Sequence, residues 1–351
     1  MSWVVVWGTR PELTKLQSVV DALRQRGTDV LVWHTGQHSD LITNTLDSVG
    51  LRDIVTQSRQ LAVTPTVDPC LFADHVATAV TSHLSNLTTP VFGVIVQGDT
   101  ASAYGACRGA RRWGAHVAHV EAGVRTGNQF DPWPEESFRI AIDREATWHF
   151  APTKHCAKNL DDEGIYGTVH VTGNTGIDAL WNDFTPHPKP PGGAGVLITL
   201  HRRERWPLMG ALADAIDRVA QCRTERFIWP VHPNPVLQTA THDMKAIRTR
   251  GPLGHHAFRE VMQHSKLVIT DSGGVQEEAA ALGVPCLVVR EVTDRPESVV
   301  AGHARVVGTN PDTVALRIWE ELDHPTLKTE RFLGYGDGTA GYRIAEILLG
   351  R

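Results

Sequence analysis

Short apolar, β-branched runs alternate with segments of helix-forming sequence along most of the chain, and this alternation limits the fold more than any other feature. Residues 3–7 predict a strand that breaks at Gly8-Thr9-Arg10-Pro11-Glu12, and a helix follows over about 11–26 with Pro in its first turn. A second strand over 30–34 ends in Thr35-Gly36-Gln37-His38, with a helix expected to run on to about 48. Strands over 91–96, 116–120 and 148–152 are each followed by a helix, at 102–113, 135–146 and 154–163. A helix is also expected over 74–87, whereas 50–70, with Pro65 and Pro69, carries little readable pattern. Residues 184–195 hold four prolines and three glycines and resemble a linker. A second alternating series then starts at 196–200 and continues through 208–221, 226–230, 285–289, 304–307 and 312–322 to a last helix over 339–349. The expected fold is α/β, with two Rossmann-like doubly wound domains facing a central cleft. The domains are expected over 1–172 and 173–336, with 337–351 packing back on the first.

Composition narrows the function classes. The 351 residues suffice for two domains, and 41% hydrophobic content for two cores. A formal net charge of −5 argues against a general nucleic-acid binder. No apolar run approaches 18 residues, and the N-terminus lacks a basic leader, so no membrane association and a cytoplasmic location are expected. The five cysteines are far apart without a C-x-x-C pair, and the 18 histidines form no H-E-x-x-H. Neither a disulfide framework nor a metal site is expected, and no cofactor is implied.

In open α/β sheets ligands bind beyond the carboxyl ends of the strands. Polar residues collect there: Arg10 and Gln37-His38 after the first two strands, Asp99 and Glu121 after later ones, then His201, His232 and Ser272. Each has an ordinary alternative. A strand-end Asp is often a helix cap, Glu121 could be a surface carboxylate, and Glu135-Glu136 could simply favour a helix N-terminus. The stretch 269–283, I-T-D-S-G-G-V-Q-E-E-A-A-A-L-G, predicts strand, glycine turn, helix and cap. Its turn is a candidate phosphate cradle, since glycines admit a ligand to the backbone and a helix N-terminus carries about half a positive charge. Arg10, Arg202, Arg203, Arg205 and Arg295 add cations suited to a diphosphate.

Together these motifs become specific: G-T-R-P-E at 8–12 with Lys15, G-Q-H at 36–38, G-D-T at 98–100, H-V-E-A-G-V-R-T-G at 119–127, P-W-P-E-E-S-F-R at 132–139, H-R-R-E at 201–204, P-V-H-P-N-P at 230–235 and T-D-S-G-G-V-Q-E-E at 270–278. In this order they resemble the non-hydrolysing UDP-N-acetylglucosamine 2-epimerases, a GT-B-type family. The resemblance implies reversible epimerisation at C2 of a UDP-sugar and a homodimer. It implies Asp99, Glu121 and Glu135 as acid/base carboxylates and His201 near the leaving phosphate. It places Ser272, Gly273 and Gly274 on the phosphates, Glu278 on the ribose, and Arg10, Lys15, His232 and Arg295 near the nucleotide. Phe258 is either a base contact or a core residue. Gln37, His38, Arg59 and Gln60 are the candidates for an activator site. Departures are Leu200 and Arg205 around H-R-R-E, where the family often carries Gly and Ser, and Asp40 in place of an expected Gln. The rival readings are a hydrolysing 2-epimerase, a GT-B glycosyltransferase using a UDP-sugar, and a nucleotide-sugar sensor. The P-W-P-E-E loop argues against the first, and the three carboxylates against the others.

Overall fold

The apolar runs pair as two parallel sheets in this computed structural model, which describes residues 2–37, 52–130, 133–165, 167–182 and 195–350. The first sheet holds β1 (Ser2–Trp7), β2 (Val30–His34), β3 (Arg59–Gln60), β4 (Val91–Gln97), β5 (His116–Val120), β6 (Trp148–Ala151) and β7 (Thr168–Val171). Its order is β3-β2-β1-β4-β5-β6-β7. The second holds β8 (Gly195–Thr199), β9 (Arg226–Pro230), β10 (Ile247–Arg250), β11 (Leu267–Thr270), β12 (Cys286–Val288) and β13 (Ala304–Val306), ordered β10-β9-β8-β11-β12-β13. Each sheet therefore reverses its order once, between β1 and β4 and between β8 and β11. Such a switch point is where an open parallel sheet leaves a crevice for ligand. The expected α/β class with two Rossmann-like halves is borne out.

Every residue of β1 is buried, as a strand covered on both faces requires. Its side chains alternate. Val4 and Val6 pack with Phe72, Val76, Val80 and Ala106 from the helices Pro69–Ser85 and Ala101–Trp113. Trp3, Val5 and Trp7 join Leu13, Leu16, Val20 and Leu23 of the helix Arg10–Gln25, together with Ile344 and Leu348 of the last helix, Ala340–Leu348. A separate core built around Ile198, Ile216, Trp229, Ile269 and Leu287 supports the second sheet.

The chain forms two compact units, Met1–Asp183 with Tyr335–Arg351, and Phe184–Gly334. The helix Thr175–Trp181 stays with the first because Asp178 caps the last helix, accepting from the Ala340 amide (3.0 Å) and the Gly341 amide (2.6 Å). The helix expected from 74 starts at Pro69 instead. Asp68 caps it by accepting from the Cys70 and Leu71 amides at 2.8 and 3.0 Å, and Pro69 fills the first turn, where its missing N–H does no harm. Strands β3, β7 and β10 and the helices Arg52–Gln57, Pro235–Ala240 and Pro296–Val300 are too short to show a period in sequence. The helix expected to end near 48, with His38 and Asp40, lies outside the described residues, as does most of the 184–195 linker.

Candidate active site

Beside the first switch point, the neighbouring strands β4 and β5 each carry an acid beyond the carboxyl end. Glu121 follows β5 directly, and Asp99 follows β4 after Gly98, whose amide donates to the Val120 carbonyl at 3.0 Å. Glu121 has φ = 70°, the one non-glycine positive φ among the described residues. A side chain is tolerated poorly there, and such strain persists where surrounding contacts over-determine it. Those contacts are the Glu121 and Ala122 amides donating to the Phe150 carbonyl (3.1 and 3.2 Å), Gln97 Nε2 donating to Glu121 Oε2 (2.5 Å), and an ion pair of the same oxygen with Lys15. Asp99 pairs with Arg139 of the helix Glu135–Glu145. Glu135, half-buried, opens that helix.

Buried polar groups hold these turns. Glu136, Arg139 and Asp143 recur three and four residues apart, so they share one helix face, and all three are buried. Glu136 accepts from the Thr126 and Gly127 amides at 3.0 and 3.1 Å and pairs with Arg139 at 3.1 Å. Asp143 accepts from the Gly123 amide (3.2 Å) and sits 2.8 Å from Arg125 and 2.5 Å from His119. Burial alone would raise its pKa, but His119 and Arg125 outweigh that and hold it at about 2. Glu12 is fully buried. It accepts from the Gly8 and Thr9 amides (3.1 and 2.7 Å) and from Thr100 Oγ1 (2.7 Å), which closes a capping box and ties the β1 turn to the β4 turn. Burial pushes it up to about 7 against the opposing pull of these hydrogen bonds.

The second switch point is built differently. Asp271, fully buried after β11, accepts from the His201 amide (3.2 and 3.0 Å) and the Arg202 amide (2.9 Å), joining the ends of β8 and β11. The His201 side chain is 43% exposed, so its ring is open to a ligand, and Nδ1 lies 3.6 Å from Asp271. His232, beyond β9, has its pKa lowered by burial and by neighbouring His201. The helix Gly273–Ala281 starts at Ser272, whose side chain makes no cap bond, so the hydroxyl leaves the first-turn amides free for another acceptor. A Cβ on Gly274 would meet no atom within 4 Å, so packing does not require glycine there. Gln276 and Glu277 turn inward: Gln276 Nε2 donates to the Arg295 carbonyl and Ser298 Oγ at 2.7 and 2.8 Å, and Glu277 pairs with Arg295. Glu278 lies 3.9 Å from His255 Nε2 and keeps 18% exposure.

The sequence matches the family model for UDP-N-acetylglucosamine 2-epimerase over residues 21–349. The chain belongs to the UDP-N-acetylglucosamine 2-epimerase family. It is 34% identical to the Bacillus subtilis UDP-N-acetylglucosamine 2-epimerase over 367 residues, covering 99% of this chain and 94% of the relative. Among solved structures, the Neisseria meningitidis UDP-GlcNAc 2-epimerase bound to UDP-GlcNAc is similar with a TM-score of 0.89, 29% identity and full coverage of both chains. The Staphylococcus aureus MnaA–UDP structure has a TM-score of 0.88 and 31% identity, covering 100% of this chain and 97% of that one.

Of the residues the resemblance implied, Asp99, Glu121 and Glu135 lie in the first unit, and His201, His232, Ser272, Gly273, Gly274 and Glu278 in the second. Phe258 is half-buried on the helix His255–Gln263. Lys15 and Arg295 make contacts the sequence did not disclose, Lys15 with Glu121 and Arg295 with Glu277 and Asp294 (3.2 Å). Arg10, first in its helix, has its pKa lowered by burial. Gln37 accepts from Ser102 Oγ at 2.6 Å, while Arg59 and Gln60 lie exposed on the edge strand β3. Glu12, Gln97, His119, Asp143 and Asp271 went unread. Gln97, His119 and Asp271 are polar residues inside or ending an apolar strand, Asp143 belongs to the E-x-x-R-x-x-x-D stripe, and Glu12 closes the T-R-P-E capping box. Among the described residues, no group of three or more His, Cys, Asp or Glu is arranged to hold a metal, and no helix is long and apolar enough to cross a membrane.

Proposed function

We propose that this chain interconverts UDP-N-acetylglucosamine and UDP-N-acetylmannosamine without releasing the sugar. A carboxylate takes the C2 proton, and the C1–O bond breaks with its electron pair passing to the β-phosphate oxygen, leaving UDP and 2-acetamidoglucal. UDP then re-adds at C1 while a second acid returns a proton to the opposite face of C2. The C2 hydrogen has no adjacent carbonyl, so its removal needs a positioned base, and its return to the other face needs a separate acid. Asp99, Glu121 and Glu135 are assigned those roles. Ser272, Gly273, Gly274 and His201 are assigned to the diphosphate, where donors meet the charge that builds on the leaving oxygen. Glu278 is assigned to the ribose.

The observation that carries this reading is Glu121, held in a left-handed backbone conformation and gripped by Lys15 and Gln97 at a strand end. A carboxylate that only solvated the surface would need neither strain nor two partners. The test is to incubate the protein with UDP-N-acetylglucosamine and follow the anomeric signals by NMR. UDP-N-acetylmannosamine is the expected product. Free N-acetylmannosamine with UDP would favour the hydrolysing outcome, and an unchanged spectrum would sink the reading for this substrate.

A further inference from the structure

His119 sits within β5, fully buried, with an acceptor at each ring nitrogen. Nδ1 faces Asp143 Oδ1 at 2.5 Å, and Nε2 faces the Gly98 carbonyl oxygen at 2.8 Å. A carbonyl oxygen only accepts, and so does an ionised carboxylate. The ring thus bridges the Asp143 carboxylate to the Gly98 carbonyl. Other groups hold this pair in place. Arg125 binds the second Asp143 oxygen at 2.8 Å but also grips Glu163 at 2.7 and 2.9 Å. His149, from β6, meets the Asp143 backbone carbonyl at 2.7 Å, and burial lowers its pKa, which keeps it neutral.

The bonds of this pair end on the turns that bear the proposed reacting groups. Gly98 precedes Asp99. The Asp143 oxygen that binds Arg125 also accepts from the Gly123 amide, two residues after Glu121. Asp143 itself lies on the helix that Glu135 opens. We propose that His119, bridging Asp143 and the Gly98 carbonyl, is a positioning residue that sets the Asp99 turn, the Glu121 turn and the Glu135 helix in register. Loss of the ring would release both Gly98 and Asp143.

This inference rests on the assignment of the three carboxylates, and the experiment separates the two. In Asp143→Asn and His119→Gln, kcat per UDP-binding site should drop about 10- to 100-fold, the scale of a misplaced catalytic group, with the KM for UDP-N-acetylglucosamine nearly unchanged. His119→Gln should retain more activity than His119→Ala, since its amide can still donate to Gly98. An unchanged kcat per UDP-binding site, or a His119→Ala variant as active as His119→Gln, would each overturn the proposal. A wild type with no epimerase activity would instead remove the underlying carboxylate assignment.

Discussion

The two units share one strand order around their switch points yet equip them in opposite ways. In the first, the strand-end turns are bolted together by buried polar groups: Glu12 under the β1 and β4 turns, Glu136 under residues 126–127, and the His119–Asp143 pair under Gly98 and Gly123. In the second, Asp271 joins two strand ends, and the buried Glu277–Arg295–Asp294 cluster lies behind a glycine turn whose helix N-terminus has no side-chain cap. Proton transfer requires side chains fixed within a fraction of an ångström, which justifies the cost of burying so many charges. On the proposed function, a diphosphate is held by backbone amides with room around them, the part assigned to Ser272-Gly273-Gly274. The same topology would then serve two chemistries, the difference lying in the residues at the carboxyl end of each strand.

That contrast can be broken by substitution on either side. The largest effect is expected in the first unit. Asp99→Asn, Glu121→Gln and Glu135→Gln should each lower turnover by roughly 100- to 10,000-fold, the usual scale of acid/base catalysis. UDP affinity, measured by calorimetry, should stay near that of the wild type. A variant that loses UDP binding while keeping turnover would place that carboxylate on the wrong side of the comparison.

Next in size is a pH effect confined to the first unit. Glu12 has a folded pKa of about 7 against its ordinary 4.5. The fold therefore favours its neutral form. The associated stability is fully present below pH 4.5 and declines as pH rises through 7, by about 3 kcal/mol for a shift of this size. Asp143 works in the other direction on the acid side: its contribution is present above pH 3.8 and is lost as pH falls through about 2. Urea unfolding at pH 5 and pH 8 should show wild type weaker at pH 8 and Glu12→Gln much less affected. Equal slopes for both would contradict the burial argument.

The smallest effect sharpens the second unit. Gly274→Ala adds a Cβ that meets no protein atom within 4 Å. Alanine favours a helix over glycine by about 0.5–1 kcal/mol, so the melting temperature should rise slightly. UDP affinity should fall about tenfold, the equivalent of one weakened hydrogen bond to a charged group. If affinity is unchanged, the phosphates do not approach that turn.

Much of this contrast was legible in the chain. Asp99, Glu121, His201 and Ser272 were found because each follows an apolar run, and the period of a buried strand is visible without a structure. The partners were not. Lys15 and Glu121 lie 106 residues apart, and no local pattern links them. Lys15 was placed near the nucleotide by the family resemblance, not by a local pattern. Arg295 was read as a strand-end cation suited to a diphosphate, and its burial against Glu277 and Asp294 was not visible in the sequence. Glu135 and Glu136 are neighbours of identical chemistry. Only the helix face separates the half-buried Glu135 from the fully engaged Glu136.

The central claim is that the first unit moves a proton at C2 while the second keeps hold of UDP, and exchange with solvent tests it most directly. The protein is incubated with UDP-N-acetylglucosamine in D₂O, and the label is located by NMR. Deuterium should enter at C2 of sugar still attached to UDP, in both epimers. Interconversion without deuterium at C2, or deuterium confined to free sugar, would contradict it.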